Sequence, residues 1–312
     1  MIPTFNRSSK LRSCIQSVLS STSRPDEIIV VDDASTDDTA RMVRSEFPDV
    51  QLIRHETETF AGGSINDGIL ASKRPYVLII DDDNVIHRDL IRSLHALISS
   101  RPEIGVVGPI TYWLAQPDVI MYTGAVYTRY FHRTVFVGAN EKDRSQFTAP
   151  FQVTNVPNCF MLRREVAIQT GLIDADLFTA FGEDGSLQDK IALRGFKVFI
   201  EPSAKTFHDV DLRQRGDLSF RYTVEKIYYG MRTHTAHIRV FERSPVIRVA
   251  RLASTPLYAA FYAFMGVRFS ESFRGALAAC WASLAGSMDG IRLRRGYYKA
   301  TVHPIESGVA NS

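Results

Sequence analysis

Asp81-Asp82-Asp83-Asn84 follows Tyr-Val-Leu-Ile-Ile at 76 to 80, an apolar run without a charge. Three adjacent carboxylates repel one another unless a cation sits among them. In extended backbone alternate side chains share a face, so Asp81 and Asp83 can address one hard divalent ion. Oxygen ligation suits Mg2+ or Mn2+, with coordination positions left open for substrate phosphates; a solvated acidic turn would carry the same residues without an ion. A second pair, Asp32-Asp33, ends the apolar run Ile28 to Val31. Ligands of open α/β sheets bind at the carboxyl ends of the strands. There Asp33 is expected to hydrogen-bond the base or ribose of a nucleotide while Asp32 plays a structural part; helix capping alone would also account for both.

A third acidic pair, Glu183-Asp184, follows Gly182 at the start of a helical run. A carboxylate there can take a proton from an incoming hydroxyl, or simply suit the positive end of the helix. His208, beside Asp209 and Asp211, can complete a metal shell through one ring nitrogen. Gly62, Gly63 and Gly68 surround Ser64 to Asp67. They read first as a turn and tight helix packing, with diphosphate contact at a helix N-terminus as the alternative.

These residues need a scaffold that brings strand ends together. To about Ile200 short β-rich runs alternate with helix-period segments, the pattern of a mostly parallel sheet with crossover helices. Strands are expected at 27–31, 50–54, 76–80 and 196–200, and helices near 8–21, 36–46, 64–72 and 88–100. Ser35 and Asp37 stand where a helix cap belongs. Ile2-Pro3 reads as the end of a strand, which makes a start upstream of Met1 an expectation. Between Thr111 and Pro157 aromatic residues gather, among them Trp113, Tyr122, Tyr127, Tyr130, Phe131, Phe136 and Phe147, which suggests strands and loops forming a cleft wall that can bind substrate; core packing is the expectation for most of them. After a boundary near Gly216 the chain turns helical, dividing it into a catalytic region, 1–216, and a helical extension, 217–312.

The 312 residues carry 37 basic against 34 acidic side chains, a formal charge of +3, which gives no footprint for a nucleic-acid partner. Cys14, Cys159 and Cys280 lie in apolar stretches without paired spacing, so neither a disulfide framework nor a zinc site is expected. The first residues lack the apolar core of a signal peptide, which points to the cytoplasm. The uncharged stretches Leu252–Val267 and Gly275–Met288 fall short of the roughly 20 apolar residues of a spanning helix. Arginines bracket both, which suits peripheral contact with the cytoplasmic face of a membrane; a helical hairpin packed on the catalytic region or on a second subunit, as in a homo-oligomer, accounts for them equally.

Taken in order, the motifs resemble glycosyltransferase family 2, nucleotide-diphospho-sugar transferases of the GT-A fold. The resemblance is carried by Ile-Pro-Thr-Phe-Asn-Arg at 2 to 7, Ile-Ile-Val-Val-Asp-Asp-Ala-Ser-Thr-Asp-Asp-Thr at 28 to 39 and Leu-Ile-Ile-Asp-Asp-Asp-Asn at 78 to 84. Met-Leu-Arg-Arg-Glu-Val at 161 to 166, Gly171 to Asp174, Gly182-Glu183-Asp184 and Gly195-Phe196-Lys197 follow. It implies an α/β Rossmann-like sheet flanked by helices and an inverting transfer from a nucleotide-diphospho-sugar donor to an acceptor hydroxyl; membrane contact by the C-terminal helices would make that acceptor a lipid-linked or envelope glycan. By the same resemblance Thr4, Asp33 and Asp82 contact the donor, Asp81 and Asp83 form the Mn2+ or Mg2+ site with His208 completing it, and Asp184 is the catalytic base. Ser186 stands where the family usually has a further aspartate, and Lys190 where it often has arginine, so acceptor contacts are expected to differ. Arg213 or Arg215 can add a clamp on the diphosphate. Two other readings keep the same motifs: a non-catalytic nucleotide-sugar binding or scaffold protein, and a sugar nucleotidyltransferase, although Asn6-Arg7-Ser8-Ser9-Lys10 lacks the glycine-rich phosphate loop expected of the latter.

Overall fold

The computed structural model describes residues 1–128, 134–179, 181–211, 223–270 and 272–296. The chain forms two compact units, Met1–Arg215 and Gly216–Ser312.

In the first unit, β1 (Ile2–Thr4), β2 (Ile29–Asp32) and β3 (Gln51–Arg54) pair in parallel, in that order. The Met1 amino group donates to the Leu78 carbonyl at 2.7 Å and Met1 O accepts from Ile80 N at 3.1 Å, which sets β1 alongside β4 (Tyr76–Ile80). From β4 the sheet continues through β11 (Cys159–Arg163), β6 (Ile104–Trp113) and β12 (Lys197–His208) to β10 (Phe151–Val153). β11 runs antiparallel to both β4 and β6, and β6 runs parallel to β12. β1, β2, β3, β4, β6 and β12 therefore point one way, and their carboxyl ends share an edge. Short β5 (Asn84–Ile86) pairs with the end of β12, and β7 (Gln116–Tyr122) folds back on β6. β8 (Ala125–Tyr127) and β9 (Thr134–Phe136) make a separate hairpin.

Helices cover the sheet because their apolar residues recur every three or four positions. α1 (Ser8–Leu19) buries Leu11, Cys14, Ile15 and Val18. α4 (Leu90–Ser100) buries Leu90, Ile91, Leu94, Leu97 and Ile98, joining Val30, Ile80, Val107 and Met161 in one core. α2 (Thr39–Glu46) begins three residues later than expected, because Asn6 Oδ1 accepts the Thr36 and Asp37 N–H groups and holds the preceding loop open. The cap position falls to Asp38, which makes no side-chain cap hydrogen bond, rather than to Ser35 or Asp37; Asp37 accepts the Thr39 N–H at 3.0 Å from the position before it. α3 (Phe60–Ala71) begins earlier than expected, so Gly62 and Gly63 lie inside it. A Cβ at Gly62 would stand 3.2 Å from Phe178 O, and one at Gly63 would stand 2.6 Å from the Thr59 side chain. Close packing is their use here. β12 extends eight residues beyond the expected Ile200 because its register slips between Ile200 and Lys205, accommodating Pro202. α5 (Arg164–Gln169) and α6 (Glu183–Leu193) complete the unit. Arg163, within one of the family motifs, stitches backbone, donating to Ile104 O and Ile98 O. Of the aromatic residues between 111 and 157, Trp113 and Tyr122 are buried and Phe136 is exposed; Tyr130 and Phe131 lie outside the described residues.

The second unit contains α7 (Val224–Phe241), α8 (Pro245–Ala253), α9 (Thr255–Arg268) and α10 (Phe273–Ile291). Thr223, Ser244 and Ser272 each cap the N–H three residues on. His234 stacks on Tyr258 and His237 packs on Phe241, with ring centroids 4.5 and 4.6 Å apart. Burial pushes His234 down to about 4, so it serves as a packing residue. α10 lies close against α7 because glycines face it: a Cβ at Gly286 would run into the Tyr228 carbonyl oxygen. Backbone cannot give way as a flexible side chain would. Gly286→Val is therefore expected to destabilise this unit by about 1–3 kcal/mol, read as a lower melting temperature; an unchanged one would mean that α10 does not pack on α7 as described.

Candidate active site

The loops at the carboxyl edge hold several residues in left-handed backbone: Asn6 (φ 52°), Ala34 (φ 64°), Phe60 (φ 61°) and Asn158 (φ 68°), with Gly182 (φ 76°) at the cap of α6. Side-chain-bearing residues adopt this region only where surrounding contacts enforce it, and such positions cluster at functional sites.

Beyond β1, β2 and β3 lies a polar network around Asp33. Its Oδ1 accepts from Thr59 N at 2.7 Å and Thr59 Oγ1 at 2.9 Å and meets His55 Nδ1 at 2.7 Å, while His55 Nε2 meets Asp67 Oδ2 at 2.9 Å. Asp32 is fully buried and accepts the Ser35 N–H at 3.0 Å, a structural role; its second oxygen has Arg54 Nε at 3.6 Å, beyond hydrogen-bond reach. Ser35, Thr36, Asp37, Arg54, His55 and Glu56 line an open depression beside this network. Its floor is the end of β2 and its wall the end of β3.

β4 delivers the acidic run. Asp82 Oδ2 accepts from Thr4 Oγ1 at 2.7 Å, and Arg7 bridges Asp82 at 3.1 Å and Asp83 at 3.0 Å. Asp83 Oδ1 meets His208 Nε2 at 2.9 Å, at the end of β12. Burial pushes the Asp83 carboxyl up, but the His208 hydrogen bond and charge, with Arg7 and Lys10, outweigh it and hold the group below its ordinary value. Asp81 goes the other way: withdrawal from water, then Asp184, Asp83, Asp82 and Glu183, hold it well above that value.

Asp184 and Glu183 stand in the first turn of α6, partly buried. Desolvation raises Asp184 to about 6. Desolvation and the neighbouring Asp184 charge raise Glu183 to about 8. Gln188 clamps both Val156 N and Val156 O, at 2.8 and 2.7 Å, and so locks α6 to the 155–158 loop. From that loop Asn158 reaches three parts of the site. Its N–H donates to Asp184 Oδ2 at 3.1 Å, its carbonyl accepts from Asp81 N at 2.9 Å, and its amide lies 3.2 Å from the His208 ring. Ser186 is buried and donates to Glu183 O, and Lys190 donates to Leu172 O.

Thr4, Asp81, Asp82, Asp83, Asp184 and His208 thus gather at one edge, linked through Arg7 and Asn158, while Asp33 belongs to the adjoining network around His55. Arg213 and Arg215 lie outside the described residues. Among the described residues no three His, Cys, Asp or Glu side chains stand close enough together to hold a metal ion. Asp83 and His208 meet at 2.9 Å, and Asp83 is among the charges that raise Asp81. The donor set fits a metal ion nonetheless: carboxylate oxygens and an imidazole suit Mn2+, and burial with the charges of Asp184, Asp83, Asp82 and Glu183 holds Asp81 well above its ordinary value, which a cation there would relieve. Two buried groups also await partners, the Tyr122 hydroxyl, within electrostatic reach of Asp81, Asp83 and Asp184, and Glu183 Oε2. Arg7, His55, Tyr122 and Asn158 were not singled out from sequence for this site. Only a residue following a strand end hinted at His55, and only Asn after Pro157 at a turn hinted at Asn158.

The family model described as Glycosyl transferase family 2 matches residues 1–171, more than half of the chain. The glycosyltransferase GlyG of Streptococcus pneumoniae serotype 4 is 27% identical over 111 residues, which make up 35% of this chain and 37% of GlyG. Among solved structures, GalNAc-T7 with UDP, GalNAc and Mn2+ matches with a TM-score of 0.57 at 17% identity, over 80% of this chain and 52% of that one. S. aureus TarS 1-349 in complex with UDP matches with a TM-score of 0.56 at 15% identity, over 94% and 88%. These similarities show the GT-A fold. At 37% of GlyG, the match spans well under two thirds of that relative's length.

The raised carboxyls have a consequence for stability. Asp184 and Glu183 hold protons in the folded chain up to about 6 and about 8, against ordinary values of 3.8 and 4.5. The unfolded chain releases those protons first, so their contribution is fully present at low pH and is lost as pH rises through the folded values. A divalent cation would offset that loss only where the carboxylates are ionised. Mn2+ is therefore expected to raise the melting temperature by several degrees at pH 8 and scarcely at pH 5; equal shifts at both would detach cation binding from this cluster.

Proposed function

The chain belongs to glycosyl transferase family 2, and on that premise we propose that it transfers a sugar from a nucleotide-diphospho-sugar to an acceptor hydroxyl with inversion, assisted by Mn2+ or Mg2+. The observation that carries this reading is Asp184, held by the Asn158 N–H at the start of α6 with its carboxyl raised to about 6, beside the acidic end of β4. A base with that affinity is mostly ionised at neutral pH and still basic enough to take a proton as a bond forms. In this reading Asp184 deprotonates the acceptor hydroxyl, which attacks the anomeric carbon from the face opposite the nucleotide. The C–O bond to the diphosphate breaks with its electron pair leaving on the phosphate. A single displacement of this kind inverts the anomeric centre.

Asp33 and Thr4 orient the nucleoside at the depression beside β2 and β3, and Asp82, gripped by Thr4 and Arg7, faces the donor sugar. Asp81, Asp83 and His208 would hold the cation, which when bound neutralises charge developing on the leaving diphosphate. Arg7, already paired with Asp82 and Asp83 and half exposed, is placed to meet the same negative charge. GalNAc-T7, solved with UDP and Mn2+, and TarS, solved with UDP, support a nucleotide donor and a divalent cation. The acceptor is proposed as a glycan or lipid-linked saccharide of the cell envelope, made at the cytoplasmic face.

Asp184→Asn is expected to keep nucleotide binding while turnover falls by about 10²-fold or more; Asp83→Ala should lose metal-dependent nucleotide binding as well. For the wild type kcat/KM should rise with pH through about 6, and NMR of the first-formed product should show an anomeric configuration opposite to the donor's. A retained configuration, or full turnover by Asp184→Asn, would remove Asp184 as base in a single displacement.

A further inference from the structure

Two helices of the second unit, α9 and α10, bury and expose the reverse of what a water-soluble helical bundle does, whereas α7 buries Ile227, Tyr228, Met231 and Ile238 in the ordinary way. The buried face of α10 is small: Ala279, Ala282, Ser283, Gly286, Ser287 and Gly290. Its large apolar residues, Phe273, Leu277, Trp281, Leu284 and Met288, point outward, with Phe273 79% and Trp281 55% exposed. α9 repeats the arrangement. It buries Ala259 and Gly266, together with Met265, while Leu257 (71% exposed), Phe261, Phe264 and Val267 face out. Spacings of three or four residues put each outward set on one stripe of its helix. In water the large side chains should be the ones that turn inward. Small residues between helices with large apolar ones outside is the division that packing in lipid favours, where close helix approach holds the helices together and the surrounding solvent is itself apolar.

Charge selects the partner. From Ser244 to Arg295 the sequence has seven arginines and no lysine against two acids, Glu271 and Asp289. Of these arginines, Arg294 lies 3.6 Å from Asp289 and Arg251 pairs with Glu242 just before the stretch, so the charge that adjoins the apolar stripes is the one that counts. Arg268 and Arg274, both exposed, stand at the end of α9 and the start of α10, next to the apolar stripes. A two-fold contact would set this cationic face against its own copy. An anionic bilayer accepts both the side chains and the charge. Among the described residues no helix is long and apolar enough to cross a membrane, so the hairpin would lie in the interface rather than span it.

We propose that the outward face of α9 and α10 embeds in the headgroup region of an anionic lipid bilayer. The inference stands on the helical unit alone and does not depend on the transferase reading. The full chain would be floated on a density gradient with vesicles of about two parts phosphatidylcholine to one of phosphatidylglycerol, and with phosphatidylcholine alone. Wild type should float with the anionic vesicles, and acyl chains carrying bromine should quench Trp281, because the other tryptophan, Trp113, is buried in the sheet unit. A variant with Phe264→Ser, Leu277→Ser and Trp281→Ser alters exposed positions only; it should melt as wild type does and bind vesicles at least about tenfold less. Arg268→Gln with Arg274→Gln should reduce the preference for anionic vesicles. Absence of flotation and quenching in folded wild type would overturn the proposal. So would equal flotation of the serine variant, or a stable dimer that the serine substitutions dissolve, which would assign the face to a second copy.

Discussion

Carboxylates drawn out of water repel one another more strongly than those in it, and much of the first unit is arranged around that fact. The ends of β4 and α6 bring Asp81, Asp82, Asp83, Glu183 and Asp184 to one edge, and the cationic groups meeting them do so unevenly. Arg7 and His208 hold Asp83 below its ordinary value, whereas Asp82, in spite of Thr4 and Arg7, and Asp81, Glu183 and Asp184 have raised proton affinities. The imbalance separates two kinds of carboxylate by environment: Asp83, kept ionised by its neighbours, and the others, kept basic chiefly by burial. A site that binds an electrophile's leaving group and also accepts a proton needs both kinds within a few residues.

Holding them requires backbone more than side chains. Six strands point one way, and β11 enters antiparallel between β4 and β6, so the turn leading into β11 arrives at the same edge as the strand ends. That turn carries Asn158, whose backbone binds both Asp81 and Asp184. The paired bonds from Gln188 to Val156 then tie the helix bearing Asp184 to the turn that orients it. The Asp184 carboxylate is thus held by a main-chain N–H on a turn that the Gln188 side chain ties to the same helix.

The strand ends were legible because a buried parallel strand is a short apolar run, and the acids that break it announce its carboxyl end. β4 begins and ends where the run does, and β2 and β3 lie within two residues of expectation. α2 and α3 were misjudged at their starts for opposite reasons. Asn6 captures N–H groups that would otherwise open α2, and glycines that read as a turn are needed inside α3 for close packing. β12 was cut short because a proline argues against a strand, and a register slip that tolerates it has no local signal. Arg7, His55, Tyr122 and Asn158 share a different difficulty. Arg7, His55 and Asn158 matter through partners distant in the chain, and Tyr122 through burial near the acids, and neither residue type nor spacing reports such proximities before the chain is folded.

The left-handed residues around the site carry a lesson for anyone who would improve the protein. Asn6, Ala34, Phe60 and Asn158 each sit in backbone that glycine would occupy at lower cost. A stabilisation campaign that ranked positions by local conformational energy would select all four early. Yet they are the corners on which the Asp33 loop, the Thr59 contact and the Asn158 bridge turn, and a freer backbone there would widen the range of poses the acidic cluster samples. Thermostability gained at these corners would be drawn from the order of that cluster, so the profitable substitutions lie in the helices behind the sheet.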